Sequence, residues 1–261
     1  MDDSKPELVD WLEGQIFGGD RPADILEKAP GLSVAEAYRL RDALTRRRET
    51  KGERLIGYKV AGASKALQAQ EHVEGPIVGC MMQSCVYARG EPIAIGGYKR
   101  TSVEPEVAVL LKNDLAGPGV TPATALAAIE GYFAAIEVVA VRDSSTTRSH
   151  QMRILGSKFS GGGIVLGSMI SAPHGIDLRL EGMVITVNGE VRGSAAGVEV
   201  MGDPLNAVAL MANTMADCGV ALKAGMLLMT GSFMGHVAVA PGDEVLIEFT
   251  RLGRVSARFA K

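Results

Sequence analysis

Glu104-Pro105-Glu106 carries the clearest chemical signal in the chain. On a strand the side chains alternate between two faces, so these two carboxylates point the same way. Ala108 and Leu110 continue that face, while Val103, Val107, Val109 and Leu111 line the other. The acids therefore stand at the entrance of a segment that is apolar on both sides. Glu137 is a second such charge, alone in the apolar run Ala134-Ala135-Ile136-Glu137-Val138-Val139-Ala140-Val141, which reads as a buried strand. Ionised carboxylates are costly to bury unless paired, so three of them on two core strands call for a cation.

With no histidine or cysteine cluster nearby, the donor set favours a hard ion, Mg²⁺ or Mn²⁺ rather than Zn²⁺. Three ionised acids around a divalent ion leave one excess negative charge, which a lysine such as Lys59 can balance. An ion held by three side chains keeps positions open for water or a bidentate ligand. A 2-oxo or 2-hydroxy acid fills two such positions through a carboxylate oxygen and the adjacent oxygen. Binding of that kind stabilises an enolate, the step common to hydration, decarboxylation and carbon-carbon hydrolysis beside a ketone. Spacing does not choose among the three reactions.

The elements that must position these groups follow from periodicity and caps. Leu8, Trp11, Leu12 and Ile16 recur at helical spacing after Pro6. Ser33-Val34-Ala35-Glu36 has the form of a capping box and opens a second helix through Leu40 and Leu44 toward Arg46-Arg47-Arg48. From Leu55 the texture changes to short apolar runs broken by glycine. In the first, Ile56, Tyr58 and Val60 share a face and leave Lys59 on the other, where spacing alone reads as a solvated edge lysine. Residues 68–78, with Glu71, His72 and Glu74, read as a loop or short helix, either plain surface or a lid over a site.

Thr121-Pro122 predicts a cap and an alanine-rich helix to about Phe133. Ser157-Lys158-Phe159-Ser160 leads into three glycines, which suit either close approach to a ligand or a tight corner. Met183 to Arg192 around Asn188-Gly189 predicts a β-hairpin, and Asp203-Pro204 caps a further helix. Strands are expected at 226–230, 237–239, 245–249 and 255–259. Thr230-Gly231-Ser232, at the end of the first of these, reads as a carboxylate cradle or simply a turn.

Bulk properties exclude several classes. The 27 basic and 30 acidic side chains give a net charge of −3, so nothing favours a nucleic-acid partner. Three cysteines without CxxC spacing suit a reduced, cytoplasmic protein. The acidic start and the lack of a long apolar run predict neither a secretory signal nor a membrane span.

Nine motifs occur in a fixed order: Ile56-Gly57-Tyr58-Lys59-Val60, Val103-Glu104-Pro105-Glu106-Val107-Ala108, Ala135-Ile136-Glu137-Val138-Val139, Gly162-Gly163-Ile164-Val165-Leu166-Gly167, Val187-Asn188-Gly189-Glu190, Gly202-Asp203-Pro204-Leu205-Asn206-Ala207, Leu222-Lys223-Ala224-Gly225, Met229-Thr230-Gly231-Ser232 and Ala240-Pro241-Gly242-Asp243. In these motifs the chain closely resembles the 2-keto-4-pentenoate hydratase and 4-oxalocrotonate decarboxylase family, within the fumarylacetoacetate hydrolase superfamily. The resemblance extends over nearly the whole chain.

The resemblance implies an α+β fold, with a small helical N-terminal region (1–53) and a fumarylacetoacetate-hydrolase-like catalytic domain (54–261) built as a mixed β-sandwich or roll. It implies Mg²⁺ or Mn²⁺ on Glu104, Glu106 and Glu137. It makes Lys59 a catalytic group, and it places Thr230 and Ser232, with Ser160 as a further hydroxyl, at the substrate carboxylate. The activity it implies is metal-dependent hydration of a 2-hydroxy-alkadienoate to a 4-hydroxy-2-oxo acid in bacterial meta-cleavage catabolism of aromatic compounds. Decarboxylation of a 2-oxo-enedioate, acylpyruvate-type carbon-carbon hydrolysis and a non-catalytic partner subunit are the alternatives. A homo-oligomer, and a complex with a pathway enzyme, are the partners it suggests.

Departures from the family pattern bear on the reaction. The apolar Gly75-Pro76-Ile77-Val78-Gly79 is closer to the decarboxylase form, whereas Thr230-Gly231-Ser232 looks like the hydratase form. Ser157-Lys158 replaces an Asp-Asn pair, and His236 stands where a small residue is common. Lys158 and His236 therefore join Lys59 as candidate catalytic groups that could serve another substrate or activate water, unless they are neutral drift.

Overall fold

Helix α1 (Pro6–Gly18) starts at its proline and buries Leu8, Val9 and Leu12. A one-turn helix α2 (Ile25–Lys28), not anticipated from periodicity, is capped by Asp24, whose carboxylate accepts the Leu26 N–H at 3.0 Å. Helix α3 (Val34–Thr50) opens on the expected capping box. Ser33 Oγ accepts the Glu36 N–H at 3.2 Å and Glu36 accepts the Ser33 N–H at 2.9 Å. The structure, a computed structural model, describes residues 5–18, 23–71, 75–141, 149–156 and 162–261.

Beyond the helices come β1 (Leu55–Ala61), α4 (Lys65–Glu71), β2 (Ile77–Met82), the short β3 (Ile93–Ala94) and the long β4 (Arg100–Leu111). Helix α5 (Pro122–Ala127) precedes β5 (Ile129–Val141), α6 (His150–Gly156) and β6 (Gly163–Leu166). The predicted hairpin is β7 (Gly182–Val187) and β8 (Glu190–Ala196), with Asn188 and Gly189 both at positive φ. Helix α7 (Pro204–Ala216) is followed by β9 (Leu227–Ser232), β10 (Val237–Ala238), β11 (Glu244–Phe249) and β12 (Arg254–Ala260).

Two expectations are corrected. The helix after Thr121 ends at Ala127, and the stretch expected to extend it to Phe133 is already strand. Ile129, Tyr132 and Phe133 suit a pleated, packed surface, and pairing with β4 from Leu111 to Arg100 outweighs the weak preference of alanine for helix. The stretch 68–78, expected as a loop or short helix, begins as helix in continuing α4, and only its end is corrected, since Ile77 and Val78 already begin β2. Glu71 closes α4, whereas His72 and Glu74 lie outside the described residues.

Among the described residues the strands form two sheets. The larger is mixed, in the order β2-β1-β9-β4-β5-β6, with β10 also on β4; the smaller runs β3-β12-β11-β7-β8. One large apolar cluster takes in Leu12, Ile25 and Leu44 of the helices, Tyr58, Val107, Val109 and Ile136 of the larger sheet, and Val245 and Ile247 of the smaller. A second, small cluster of Met81, Ala108, Ala135, Ile164 and Met229 occupies the opposite face of the larger sheet. The arrangement is the expected α+β one of helices with mixed, packed sheets.

Helix α3 protects the edge strand β2. Tyr38 Oη accepts the Val78 N–H at 3.1 Å, and the Arg41 guanidinium donates to the Val78 carbonyl. Arg41 also lies over the rings of Tyr38 (4.9 Å) and Tyr58 (5.8 Å), which compensates in part for burying its charge. Unpaired edge groups invite pairing with other chains, so the N-terminal helices do more than fill space. No helix among the described residues is long and apolar enough to cross a membrane. All three cysteines are free thiols.

Candidate metal centre

Strand register brings the acids together. In the antiparallel β4–β5 ladder Glu104 is directly opposite Glu137, and Glu106 is opposite Ala135. Like charges facing each other across a ladder are destabilising on their own. Carboxylate oxygens of Glu104, Glu106 and Glu137 all lie within 4.8 Å of one another, on residues that are 5 %, 0 % and 2 % exposed. Among the described residues no other group of three or more acid, histidine or cysteine side chains comes this close.

A bulge next to the acids supplies their first hydrogen bond. On its other side β4 pairs with β9, where Glu106 opposes Ser232 and Ala108 opposes Met229, so Thr230 and Gly231 together face Val107 alone. The extra residue turns the Gly231 N–H toward the site, and it donates to Glu106 Oε2 at 2.9 Å. Gly231 has φ +105, and a Cβ there would meet the Ala63 Cβ at 2.3 Å, so both conformation and space demand glycine. Pro105, which has no N–H to give, sits beside this irregularity, where a strand interior tolerates it.

Lys59 reaches the acids from β1, three strands away from β5. It is in register with Met229, which is in register with Ala108, so Lys59 shares the acids' face. Three strand spacings amount to about 14 Å on a flat sheet, and Lys59 is level through Met229 and Ala108 with Phe133, so the four residues to Glu137 add about 13 Å along the strand. Yet Lys59 Nζ donates to Glu137 Oε1 at 2.8 Å. The sheet must therefore curl, with the acids on its concave side. This overturns the solvated edge lysine that spacing alone suggested: Lys59 is only 8 % exposed.

The electrostatics are those of a site with too much negative charge. Burial works against the Lys59 ammonium, but Glu137, Glu104 and Glu106 together hold its pKa above the usual lysine value. Glu106 is pushed well above the usual carboxylate range by burial and then by the charges of Glu137 and Glu104; the Gly231 N–H and Lys59 pull the other way. Glu106 Oε1 is buried and has no hydrogen-bond partner. Three oxygen donors, one of them orphaned, in a net negative pocket fit a divalent hard cation, and Glu104, Glu106 and Glu137 would hold it.

The remaining sequence candidates divide into three groups. His236 joins the acids, with Nδ1 at 3.0 Å from Glu104 Oε1 and 3.4 Å from Ser102 Oγ. Val237 of β10 pairs with Val103, so the residue before it falls level with Glu104. Phe233, packed edge-on against Phe249 at 5.6 Å, anchors the connection that presents it. Thr230 and Ser232 lie beside the acids, but both hydroxyls are engaged within the chain: Thr230 donates to the Val107 carbonyl at 3.0 Å and Ser232 to that of Met234. Lys158 and Ser160 lie outside the described residues. Of the three glycines after Ser160, Gly162 and Gly163 serve close packing, since a Cβ on either would meet the carbonyl oxygens of Val138 (2.0 Å) and Cys85 (2.2 Å) respectively.

Sequence reasoning missed Ser102 and the Gly231 N–H as parts of the centre. Alternation two residues back from Glu104 would have found Ser102, whereas the Gly231 contact depends on a bulge that leaves no local signal.

The chain is similar to known proteins over most of its length. The family described as "Fumarylacetoacetate (FAA) hydrolase C-terminal" matches residues 56–260. A 4-oxalocrotonate decarboxylase of Pseudomonas putida is 33% identical over 230 residues, 88% of this chain and 87% of the relative. A 2-hydroxyhexa-2,4-dienoate hydratase of Comamonas testosteroni is 33% identical over 241 residues, 92% of this chain and 91% of the relative. Among solved structures, 4-oxalocrotonate decarboxylase from Pseudomonas putida G7, complexed with magnesium and adipate, superposes with a TM-score of 0.88 at 30% identity, covering 98% of each chain.

Proposed function

The chain belongs to the fumarylacetoacetate hydrolase family, and we propose that it is a divalent-metal-dependent hydratase that converts a 2-hydroxy-alkadienoate into a 4-hydroxy-2-oxo acid. The observation that carries this reading is the convergence of three buried carboxylates within 4.8 Å, with a lysine on one of them. Glu104, Glu106 and Glu137 would hold Mg²⁺ or Mn²⁺, which when bound would supply Lewis acidity at the 2-oxo end of the substrate. The chain's own groups do the rest. Lys59 holds a proton on Nζ at the inner edge of the cluster and donates it to a carbon of the dienol, while the proton lost from the 2-hydroxyl returns to Nζ, so the dienol becomes the 2-oxo-alkenoate with no net change on the lysine. Water then adds across the remaining double bond. His236 bears on the site through Glu104. Thr230 and Ser232 border the place of the substrate carboxylate, and Lys158 and Ser160 are assigned to the same site on sequence grounds. Glu104, Glu106, Glu137 and Lys59 are buried, which strengthens the interactions among them.

Decarboxylation of a 2-oxo-enedioate is the second reading. It is favoured by the similarity to the decarboxylase structure and shares every residue role up to the fate of the substrate. The same proposal includes a catalytic domain at 54–261 behind the helical region 1–53, a cytoplasmic location, assembly as a homo-oligomer and association with a pathway enzyme. The match beginning at residue 56 supports the division.

The test is incubation of the purified chain and Mg²⁺ with a 2-hydroxy-alkadienoate, a 2-oxo-enedioate and an acylpyruvate, with products identified by mass. A gain of one water by the first substrate is expected. Release of carbon dioxide as the sole reaction would replace the hydratase with the decarboxylase.

A further inference from the structure

Each of the three acids is held by a different kind of donor. Glu137 Oε1 receives Lys59 Nζ at 2.8 Å, Glu106 Oε2 receives the Gly231 N–H at 2.9 Å, and Glu104 Oε1 faces His236 Nδ1 at 3.0 Å. A carboxylate that coordinates an ion with one oxygen is free to rotate about its last bond unless the other oxygen is fixed. Loss of a partner that fixes it typically costs about 10- to 100-fold in metal affinity.

We propose that His236 is a positioning residue for the metal centre: its Nδ1–H donates to Glu104 Oε1 and so aims the other oxygen of that carboxylate at the ion. The inference rests on the metal reading of the acid cluster. His236 is not itself placed as a ligand, because none of its nitrogens belongs to the group of mutually close ligand atoms. An ionised carboxylate only accepts hydrogen bonds, so the ring nitrogen that faces it carries the proton. Ser102 Oγ, on a residue 4 % exposed and 3.4 Å from the same Nδ1, backs the ring from the strand beneath. The imidazole and carboxylate are nearly sealed from water, with side chains 9 % and 7 % exposed, so bulk solvent is a poor substitute donor.

The backbone explains why the contact is rigid. The β10–β4 register fixes the residue before Val237 level with Glu104, and the Phe233 N–H donates to the Pro105 carbonyl at 3.0 Å on the near side. His236 thus sits on a short connection tied at both ends to the strand that carries the acid it orients.

The experiment compares calorimetric Mn²⁺ titrations of the chelator-treated chain as wild type, His236→Leu and His236→Asn, together with the electron paramagnetic resonance spectrum of the bound Mn²⁺. The carboxamide nitrogen of asparagine falls near the place of Nδ1 and cannot act as a base. The leucine variant is expected to bind about 10- to 100-fold more weakly with an altered spectrum, and the asparagine variant to stay within about threefold of wild type. Equal affinity in the leucine variant overturns the proposal, and so does an asparagine variant as weak as the leucine one. If the leucine variant does not fold, as judged by circular dichroism, His236→Gln, whose amide nitrogen lies nearer the place of Nε2, takes its place with the same expectation. Failure of the wild type to bind Mn²⁺ would remove the metal reading itself, a result distinct from either.

Discussion

Glu106→Gln is expected to preserve or raise stability without metal and to forfeit most of the stability that metal adds. The Glu106 carboxylate is fully buried, has two acids with oxygens within 4.8 Å and leaves Oε1 without a partner. Two unit charges 4.8 Å apart repel by about 3.5 kcal/mol at an effective dielectric constant of about 20. Glu106 faces two such charges, and Lys59 offsets on the order of one of them. Glutamine keeps the shape and still accepts the Gly231 N–H, so the metal-free variant loses the repulsion but not the hydrogen bond. Part of the relief is already taken in the wild type, whose raised Glu106 pKa favours the protonated acid. The metal-free variant should therefore be as stable as wild type or up to about 3 kcal/mol more stable, a rise in Tm of roughly 0–10 °C. Metal removes most of that advantage or reverses it. An ion at a hundredfold its dissociation constant stabilises the wild type by about 2.7 kcal/mol, and most of that increment should vanish with one of three ligands gone. Thermal unfolding of chelator-treated protein with and without Mn²⁺ measures both quantities. A metal-free variant less stable by more than about 1 kcal/mol would make Glu106 a structural anchor, and an undiminished metal increment would remove it from the ligand set.

Two further outcomes follow, one from the metal centre and one from the cap of α3. Lys59→Met removes one partner of a buried ion pair whose side chains are 11 % and 2 % exposed, so metal-free stability should fall by about 3–5 kcal/mol. Added metal should restore more of it than the metal increment of the wild type, while turnover drops about 100-fold or more; turnover within tenfold of wild type would exclude Lys59 as proton donor. In the N-terminal helical region, the Ser33 N–H and hydroxyl hold the Glu36 carboxyl at about 2, below the usual value. A folded pKa that is lowered contributes stability above the unfolded pKa of about 4.3 and loses it as pH falls through the folded value. The stability advantage of wild type over Glu36→Gln should be constant above about pH 5 and gone near pH 2, as urea unfolding across that range would register; an advantage independent of pH would mean that the carboxylate's charge is not what caps α3.

Local chemistry made much of the molecule legible. The capping box at Ser33, the proline-led starts of α1, α5 and α7, and the Asn188-Gly189 hairpin each depend on residues within a few positions of one another. The acids of β4 were legible for the same reason, since alternation alone puts Glu104 and Glu106 on one face. Their odd placement in apolar strands was itself the signal, because core strands do not keep charges without a use for them. The helix misread between Ala128 and Phe133 shows the limit of local reasoning: alanine propensity is worth tenths of a kcal/mol per residue, less than a strand gains from a long partner.

The sequence by itself determined which side chains were available for the site and that a cation was wanted there. Tertiary structure decided the rest. Glu137 is opposite Glu104 rather than Ser102 because the β4–β5 ladder has one register, set by packing on both faces. Lys59 is a buried partner rather than a solvated edge residue because the sheet curls across three strands. The Gly231 N–H meets Glu106 because of a bulge, and His236 meets Glu104 because β10 resumes pairing with β4 one residue later. Each of these contacts joins residues far apart in the chain, whose relative position is fixed by ladder register and sheet curvature, and neither leaves a mark within a window of neighbouring residues.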